Sequence, residues 1–461
     1  MSYCGGYFTE IEGWPLRRTT SSGHTPFLVW LLIGYMWLFI HRPFEIWMWL
    51  APYRPERIFM VATIVCWLFS NRKRLMPNRL HTAFAAFVLA ILLSWCVSPY
   101  QSEGAATVED YMKYAVFYVI VVTTVHDRQG LQSILAGHFC ILTLVMVHAL
   151  REYYCGNAIF EQGIRRMLGT GVTFRQQDDF AGLIVCSLPF AWTLWRVWRP
   201  WWKRAVVLMH YGLGVYCVML TGSRMGFIGI IVLVLLATII SAKRWRLLAL
   251  YCVLAPVIWS ALPADRQNRY LTLIDPTYGP ASASASAGSW RYGGFEKGLG
   301  LFNERPLFGW GPMGYRHASG GGMMPHNLYG QLFSELGLAG VVAFALVLLG
   351  VLLNVVQGRR LWKVCERGSD VADDESVDAD LAWRTVCASS AAFVVLAVMA
   401  WGFNFLFWHV WLWFGCFQVV AFQRLRESAA LARLRDVDLY ESGVVDWDEP
   451  MWTYERGSAA T

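Results

Sequence analysis

The sequence predicts an all-α polytopic integral membrane protein, with about twelve transmembrane helices and one large loop outside the bilayer. Three observations predict it. The 461 residues are 56% hydrophobic and 15% charged, whereas a soluble globular chain is about 25% charged. The apolar residues gather into long segments divided by polar intervals. The 24 Trp suit a protein with two lipid–water boundaries, where Trp is enriched.

After a polar lead carrying Arg17 and Arg18, apolar segments run at 27–41, 57–70, 81–98, 111–125, 131–150, 180–198, 204–221, 225–241, 246–262, 328–356, 384–402 and 405–422. Several are shorter than the ~20 residues that span a bilayer and must borrow flanking residues. No cleavable signal peptide is evident, so the first segment reads as an anchor. With the N-terminus inside, the even-numbered segments end at NRKRLMPNR (71–79), HDRQ (126–129), RVWRPWWKR (196–204), AKRWR (242–246), QGRRLWK (357–363) and QRLRESAALARLR (423–435). All but the second are basic, as short inside loops are. The outside loop 99–110 holds no Lys or Arg, while 42–57 and 151–179 hold several Arg and run against the assignment. Both termini are therefore expected in the cytoplasm.

The expected organisation has four parts. Residues 1–262 form a bundle of nine segments, and 263–327 form the large outer loop. Residues 328–422 form the last helices, interrupted by an acidic cytoplasmic loop at 357–383, and 423–461 form a polar tail. GSDVADDESVDAD (368–380) should be flexible, and ASASASAG (281–288) should be a linker without structure of its own. No internal repeat is present, which argues against an inverted-repeat transporter. The net charge of +7 lies in short clusters, a membrane pattern more than a nucleic-acid-binding one. The 11 Cys include no CxxC pair, so neither a disulfide framework nor a metal site is expected.

Chemistry-bearing residues concentrate in three places. In TGSRMGFIG (221–229), Arg224 sits in a tight turn between two apolar helices, flanked by small residues that let backbones approach. It reads equally as an interfacial anchor and as a fork of donors for phosphate oxygens. In MLGTGVTFRQQDDFAGLIVCSLPF (167–190), Arg175 and Asp179 lie at the mouth of the sixth segment. They are candidate substrate contacts, with helix capping by Asp178 and Asp179 as the plainer reading. The third place is GSWRYGGFEKGLGLFNERPLFGWGPMGYRHASGGGMMPHNLYGQLFSELGLAG (288–340). Here Arg291 taken alone reads as a solvated loop arginine, Arg316 is a candidate substrate contact, and Arg305 and His317 carry no assigned role. His326 follows Pro325 and precedes Asn327, a natural N-cap for the helix beginning at LYGQLF. A neutral imidazole there can accept a proton, while for a lone histidine a hydrogen-bonded structural role is the plainer reading.

Taken in order, GTG…DDFA, the SR turn, R…PLFGWG and PHN…SELGLAG resemble the O-antigen ligase family, which also holds O-antigen polymerases and some protein O-oligosaccharyltransferases. The resemblance covers 167–345 by motif and the whole chain by architecture. It implies a GT-C-like membrane glycosyltransferase of the bacterial inner membrane, with its site facing the periplasm. The donor it implies is a glycan on undecaprenyl pyrophosphate. The acceptor is a hydroxyl of lipid A–core, a polysaccharide or another molecule. By the resemblance, Arg224 and Arg291 hold the diphosphate and His326 acts on the acceptor hydroxyl. RQQDD departs from the family's pattern, where an Asn often precedes the helix. No cofactor is expected. With no metal-ligand spacing or convincing carboxylate pair, an inverting, metal-independent transfer is the expected chemistry. The rival readings are a polymerase of the same superfamily and a lipid-linked glycan transporter.

Overall fold

Residues 26–71, 73–171, 176–279, 281–367 and 374–441 are described by the computed structural model. The chain runs α1 (Phe27–His41), α2 (Pro43–Ile46), α3 (Pro55–Leu68), α4 (Arg79–Cys96), α5 (Gln101–Thr124) and α6 (Arg128–Tyr154). A hairpin of β1 (Ala158–Glu161) and β2 (Ile164–Met167) comes next, then α7 (Gln177–Val197), α8 (Trp201–Thr221), α9 (Arg224–Ile240) and α10 (Arg244–Ala261). The late loop contains α11 (Ala264–Leu271), α12 (Ala281–Glu304) and α13 (Gly314–Ala318). The chain closes with α14 (Leu328–Gln331), α15 (Gly337–Arg367), α16 (Asp374–Met399) and α17 (Val410–Glu441).

Every apolar segment read from the sequence falls on a helix. Among the described residues, seven helices are long and apolar enough to cross a membrane, and the apolar Arg224–Ile240 is shorter. The long helices alternate in direction. One face of the bundle therefore gathers the starts of α7, α9 and α14 with the ends of α8 and α16, and it carries α11 to α13; this is called the site face below.

The core is built on α7, α16 and α17. Trp411, Trp413, Phe414 and Phe417 of α17 are buried, with Phe180, Ile184 and Phe190 of α7 and Phe393 and Leu396 of α16. At the periphery α10 buries none of its residues, as a lipid-facing helix would not. Close packing at the site face depends on small residues. Gly226 lies against Ala181, Gly229 against Met399, and Gly182 against Phe405. Added Cβ atoms would stand 2.8, 2.6 and 3.0 Å from these neighbours, so α7, α9 and α16 approach as small-residue interfaces allow.

The structure corrects two expectations and adds two features to the rest. Residues 281–288 are not an unstructured linker; they form the first turns of α12. Alanine is the best helix former, so the run extends a helix that its continuation anchors. The acidic stretch is helical from Asp374, where α16 starts, and its residues 368–373 lie outside the described residues. The tail is likewise a continuation of α17 as far as Glu441. The hairpin also departs from an all-α chain. Its turn residues Gln162 (φ 52°) and Gly163 (φ 83°) both have positive φ, the requirement of a tight two-residue hairpin turn.

Candidate active site

The SR turn is the first part of the site. Helix α8 ends at Thr221 and α9 begins at Arg224. Gly222 takes a left-handed conformation (φ 63°), and the Ser223 hydroxyl caps α9 by accepting from Gly226 N at 3.1 Å. Arg224 is 3% exposed and donates from Nη1 to Thr272 Oγ1 at 3.3 Å. A snorkelling anchor would reach the lipid headgroups; this guanidinium is enclosed by protein.

Three further arginines surround that turn, and sequence reasoning assigned a role to none of them. Arg166 on β2 donates from Nε to Thr221 O at 2.8 Å, from Nη1 to Glu161 at 2.9 Å and from Nη2 to Asp178 at 3.1 Å. Arg266 on α11 donates from Nη1 to Met219 O at 2.9 Å and Leu220 O at 2.6 Å, and from Nη2 to the Tyr153 hydroxyl at 3.1 Å and to Arg165 O. It thereby satisfies carbonyls that the end of α8 leaves open. Arg269, one turn on, donates from Nε to Gly222 O at 3.2 Å. All three are buried. Burial, then the neighbouring Arg166 charge, pushes the Arg269 pKa down to about 10, against the opposing pull of Asp178 and Glu161.

Asp178 and Asp179 lie in the first turn of α7, where the helix dipole favours acids. No side-chain cap bond forms there, however, and Asp178 pairs with Arg166. The capping expectation is therefore replaced by an ion pair that ties the hairpin to α7. Asp179 follows it in the same turn. Arg175 lies outside the described residues.

The second part is the PHN turn. His326 is exposed and takes the left-handed region at φ 44°, which histidine tolerates better than most side chains. Asn327 is fully buried and caps α14, its Oδ1 accepting from Tyr329 N at 2.9 Å and Gly330 N at 3.0 Å. Its Nδ2 donates to Trp401 O at 3.2 Å, and the Tyr329 hydroxyl donates to Ala397 O at 2.7 Å. Asn327 and Tyr329, next to His326 in the chain, are thus fastened to the end of α16. That same end receives Gly229, one turn and a residue beyond Arg224. Helix α9 and the PHN turn both pack on Met399–Phe405, a stretch that no sequence motif singles out.

Helix α12 closes on the PHN turn through glycine. A Cβ on Gly294 would stand 2.0 Å from Pro325 O, and one on Gly298 would stand 2.4 Å from Gly330 O. Position 291 lies on α12, one helical turn before Gly294. Next in the chain, PLFGWG is fastened from below by Glu335, in a π-helical turn at Leu332–Leu336. The buried Glu335 accepts at its carbonyl from Gly311 N at 2.9 Å and the Ser94 hydroxyl at 2.6 Å, and at Oε1 from Tyr315 N at 3.4 Å. Single π turns of this kind recur at functional sites.

Arg316 lies on α13, and its Nε is buried without a hydrogen-bond partner among the described residues. Its neighbour His317 stacks on Tyr100 and faces Glu103 at 3.5 Å, beside the α4–α5 turn. Among the described residues, no group of three or more His, Cys, Asp and Glu side chains is placed to hold a metal ion.

Residues 210–345 match the family described as O-antigen ligase. That match supports an O-antigen ligase family assignment. The matched region holds the SR turn, α11, α12, α13 and the PHN turn, but not the hairpin, the start of α7 or the Met399–Phe405 stretch. It begins later than the motif resemblance, which reached back to 167. No curated protein gives a match to the chain. The match supports a ligase- or polymerase-type, glycosyltransferase-like enzyme at a coarse level, and with the apolar helices it indicates a membrane protein. The O-antigen ligase family implies a lipid-linked glycan donor and polysaccharide or lipid acceptors in general.

Proposed function

We propose that this O-antigen ligase-family enzyme transfers a glycan from undecaprenyl pyrophosphate to an acceptor hydroxyl, with inversion and without a metal ion. The observation that carries the reading is that the helix starting at the buried Arg224 and the turn holding the exposed His326 both pack on the end of α16, through Gly229 and Asn327. In this reading the bond between the sugar's anomeric carbon and the diphosphate oxygen breaks, and its electron pair leaves with the diphosphate. The acceptor oxygen forms the new bond to that carbon, and its proton passes to the His326 imidazole. Arg224 and Arg291 stabilise charge building on the leaving diphosphate, an electrostatic contribution that often dominates catalysis. Arg175, Asp179 and Arg316 contact donor or acceptor.

Further parts of the reading are twelve membrane crossings, an inner-membrane location, cytoplasmic termini and a site face turned to the periplasm. Basic loops at the opposite face support that orientation.

The test is a glycan profile of a gene deletion, joined to transfer by the purified protein. A ligase leaves full-length chains on the lipid carrier when lost, and a polymerase leaves single repeats on the normal acceptor. A transporter strands repeats on the cytoplasmic leaflet. His326→Asn keeps a side chain that tolerates the left-handed turn and removes the base. A fall of about 10²–10⁴-fold in transfer is expected; near-normal activity would sink the base assignment.

A further inference from the structure

Arg269 stands apart from the other arginines of the cluster. Arg266 lies three residues earlier on the same helix, and both its terminal nitrogens are engaged with the end of α8 and its surroundings. Arg166 is likewise engaged at all three guanidinium nitrogens. For Arg269, Nε reaches Gly222 O, but Nη1 is buried without a hydrogen-bond partner among the described residues. The residue is 6% exposed. A buried cation with an open donor is unfavourable unless something anionic completes it. The nearby carboxylates do not: Asp178 and Glu161 are both bonded to Arg166, and burial followed by the Arg166 charge disfavours the Arg269 cation.

The position of Arg269 ties it to Arg224. Arg269 holds Gly222 O, two residues before Arg224. Thr272 accepts from Arg224 Nη1 and donates its own hydroxyl proton to Arg269 O at 2.7 Å. A single turn of α11 therefore fixes both guanidinium groups, one on each side of the SR turn.

We propose that Arg269 is a further diphosphate-binding residue, its Nη1 donating to an anionic oxygen of the pyrophosphate beside Arg224. The inference rests on the functional reading given above and adds to it a residue outside the motifs that carry the family resemblance. The role needs no proton transfer: the guanidinium stays charged while negative charge grows on the departing diphosphate. It also accounts for the spacing of the cluster, in which Arg166 and Arg266 brace the turn and Arg269 keeps a donor open.

The experiment uses the full chain in detergent, with inorganic pyrophosphate as the probe and calorimetry as the readout. The wild-type protein, Arg269→Gln and Arg269→Lys are compared, each with its thermal midpoint. Glutamine is expected to weaken pyrophosphate binding tenfold or more at a little-changed midpoint, with lysine between the two. In transfer assays the same variants should raise KM for the lipid-linked donor more than for the acceptor. If Arg269→Gln does not fold, Arg269→Lys decides: tenfold weaker binding in a folded protein supports the proposal. Unchanged pyrophosphate binding by either folded variant makes Arg269 a strut for Gly222 and overturns the inference. That result would leave the transferase reading intact, because that reading is tested separately by His326→Asn in the transfer assay. Wild-type protein that binds phosphatidylglycerol in nanodiscs but not pyrophosphate would assign the open donor to a lipid headgroup, and would also overturn the inference.

Discussion

Replacing Gly294 with alanine tests whether α12 must touch the PHN turn for the site to work. The added Cβ would stand 2.0 Å from Pro325 O and 3.2 Å from Pro325 Cα, whereas ordinary contact begins near 3.4 Å. Both obstacles are backbone, so no flexible side chain can swing away. Helix α12 must retreat by roughly 1 Å, a misplacement that can lower catalysis by about 10²-fold. Overpacking of this kind destabilises by about 1–3 kcal/mol. Gly293, its neighbour, supplies the control. A Cβ there meets nothing within 4 Å, so Gly293→Ala should keep activity and gain about 0.5–1 kcal/mol from helix propensity. Transfer from a lipid-linked donor and thermal unfolding of both variants are measured side by side. Wild-type transfer by a folded Gly294→Ala protein would refute the view that α12 and the PHN turn form one site. Equal losses in both variants would refute the contact as the cause.

Three other outcomes follow from the same structure. Gly222→Ala forces a side chain into a left-handed position, with its Cβ 2.4 Å from Ile164 Cδ1; it should destabilise by about 1–2 kcal/mol. Transfer should fall with it, and chemical denaturation beside an activity assay checks both. Arg266→Met removes the donors to Met219 O and Leu220 O. Leaving such buried groups unpaired costs about 1–3 kcal/mol, so folded yield and thermal midpoint should drop even at saturating donor. Transfer should persist at full rate in excess chelator; loss of rate restored by added divalent ion would overturn metal independence.

Much of the helical framework was legible because bilayer-length apolar segments have few alternatives. The Asn327 cap was legible for a similar reason, since its chemistry is local: a short polar side chain at the head of a helix has nearby N–H groups to satisfy. The hairpin at Ala158–Met167 was missed because four-residue strands give little alternation to read, and Gln-Gly is a weaker turn signal than Asn-Gly. Arg166 was missed with it. Strand pairing and burial, not any motif, turn it inward between Glu161 and Asp178. The Ala-Ser run misled because low complexity was taken for lack of structure, where helix propensity and the anchored continuation of α12 prevailed.

The sequence alone determined a membrane-embedded helical chain, a late polar interval, and the SR and PHN turns as places where charge and imidazole sit at helix starts. Only the tertiary structure decided what surrounds them. Arg166, Arg266 and Arg269 reach the SR turn from a hairpin and a loop helix, 42 to 58 positions from Arg224 along the chain. Met399–Phe405 receives both halves of the site from segments far apart in sequence. Helix starts and apolar runs are set by neighbouring residues, so a linear reading finds them. A buried guanidinium is set by which distant carbonyls and charges close around it, and that information exists once the helices have packed.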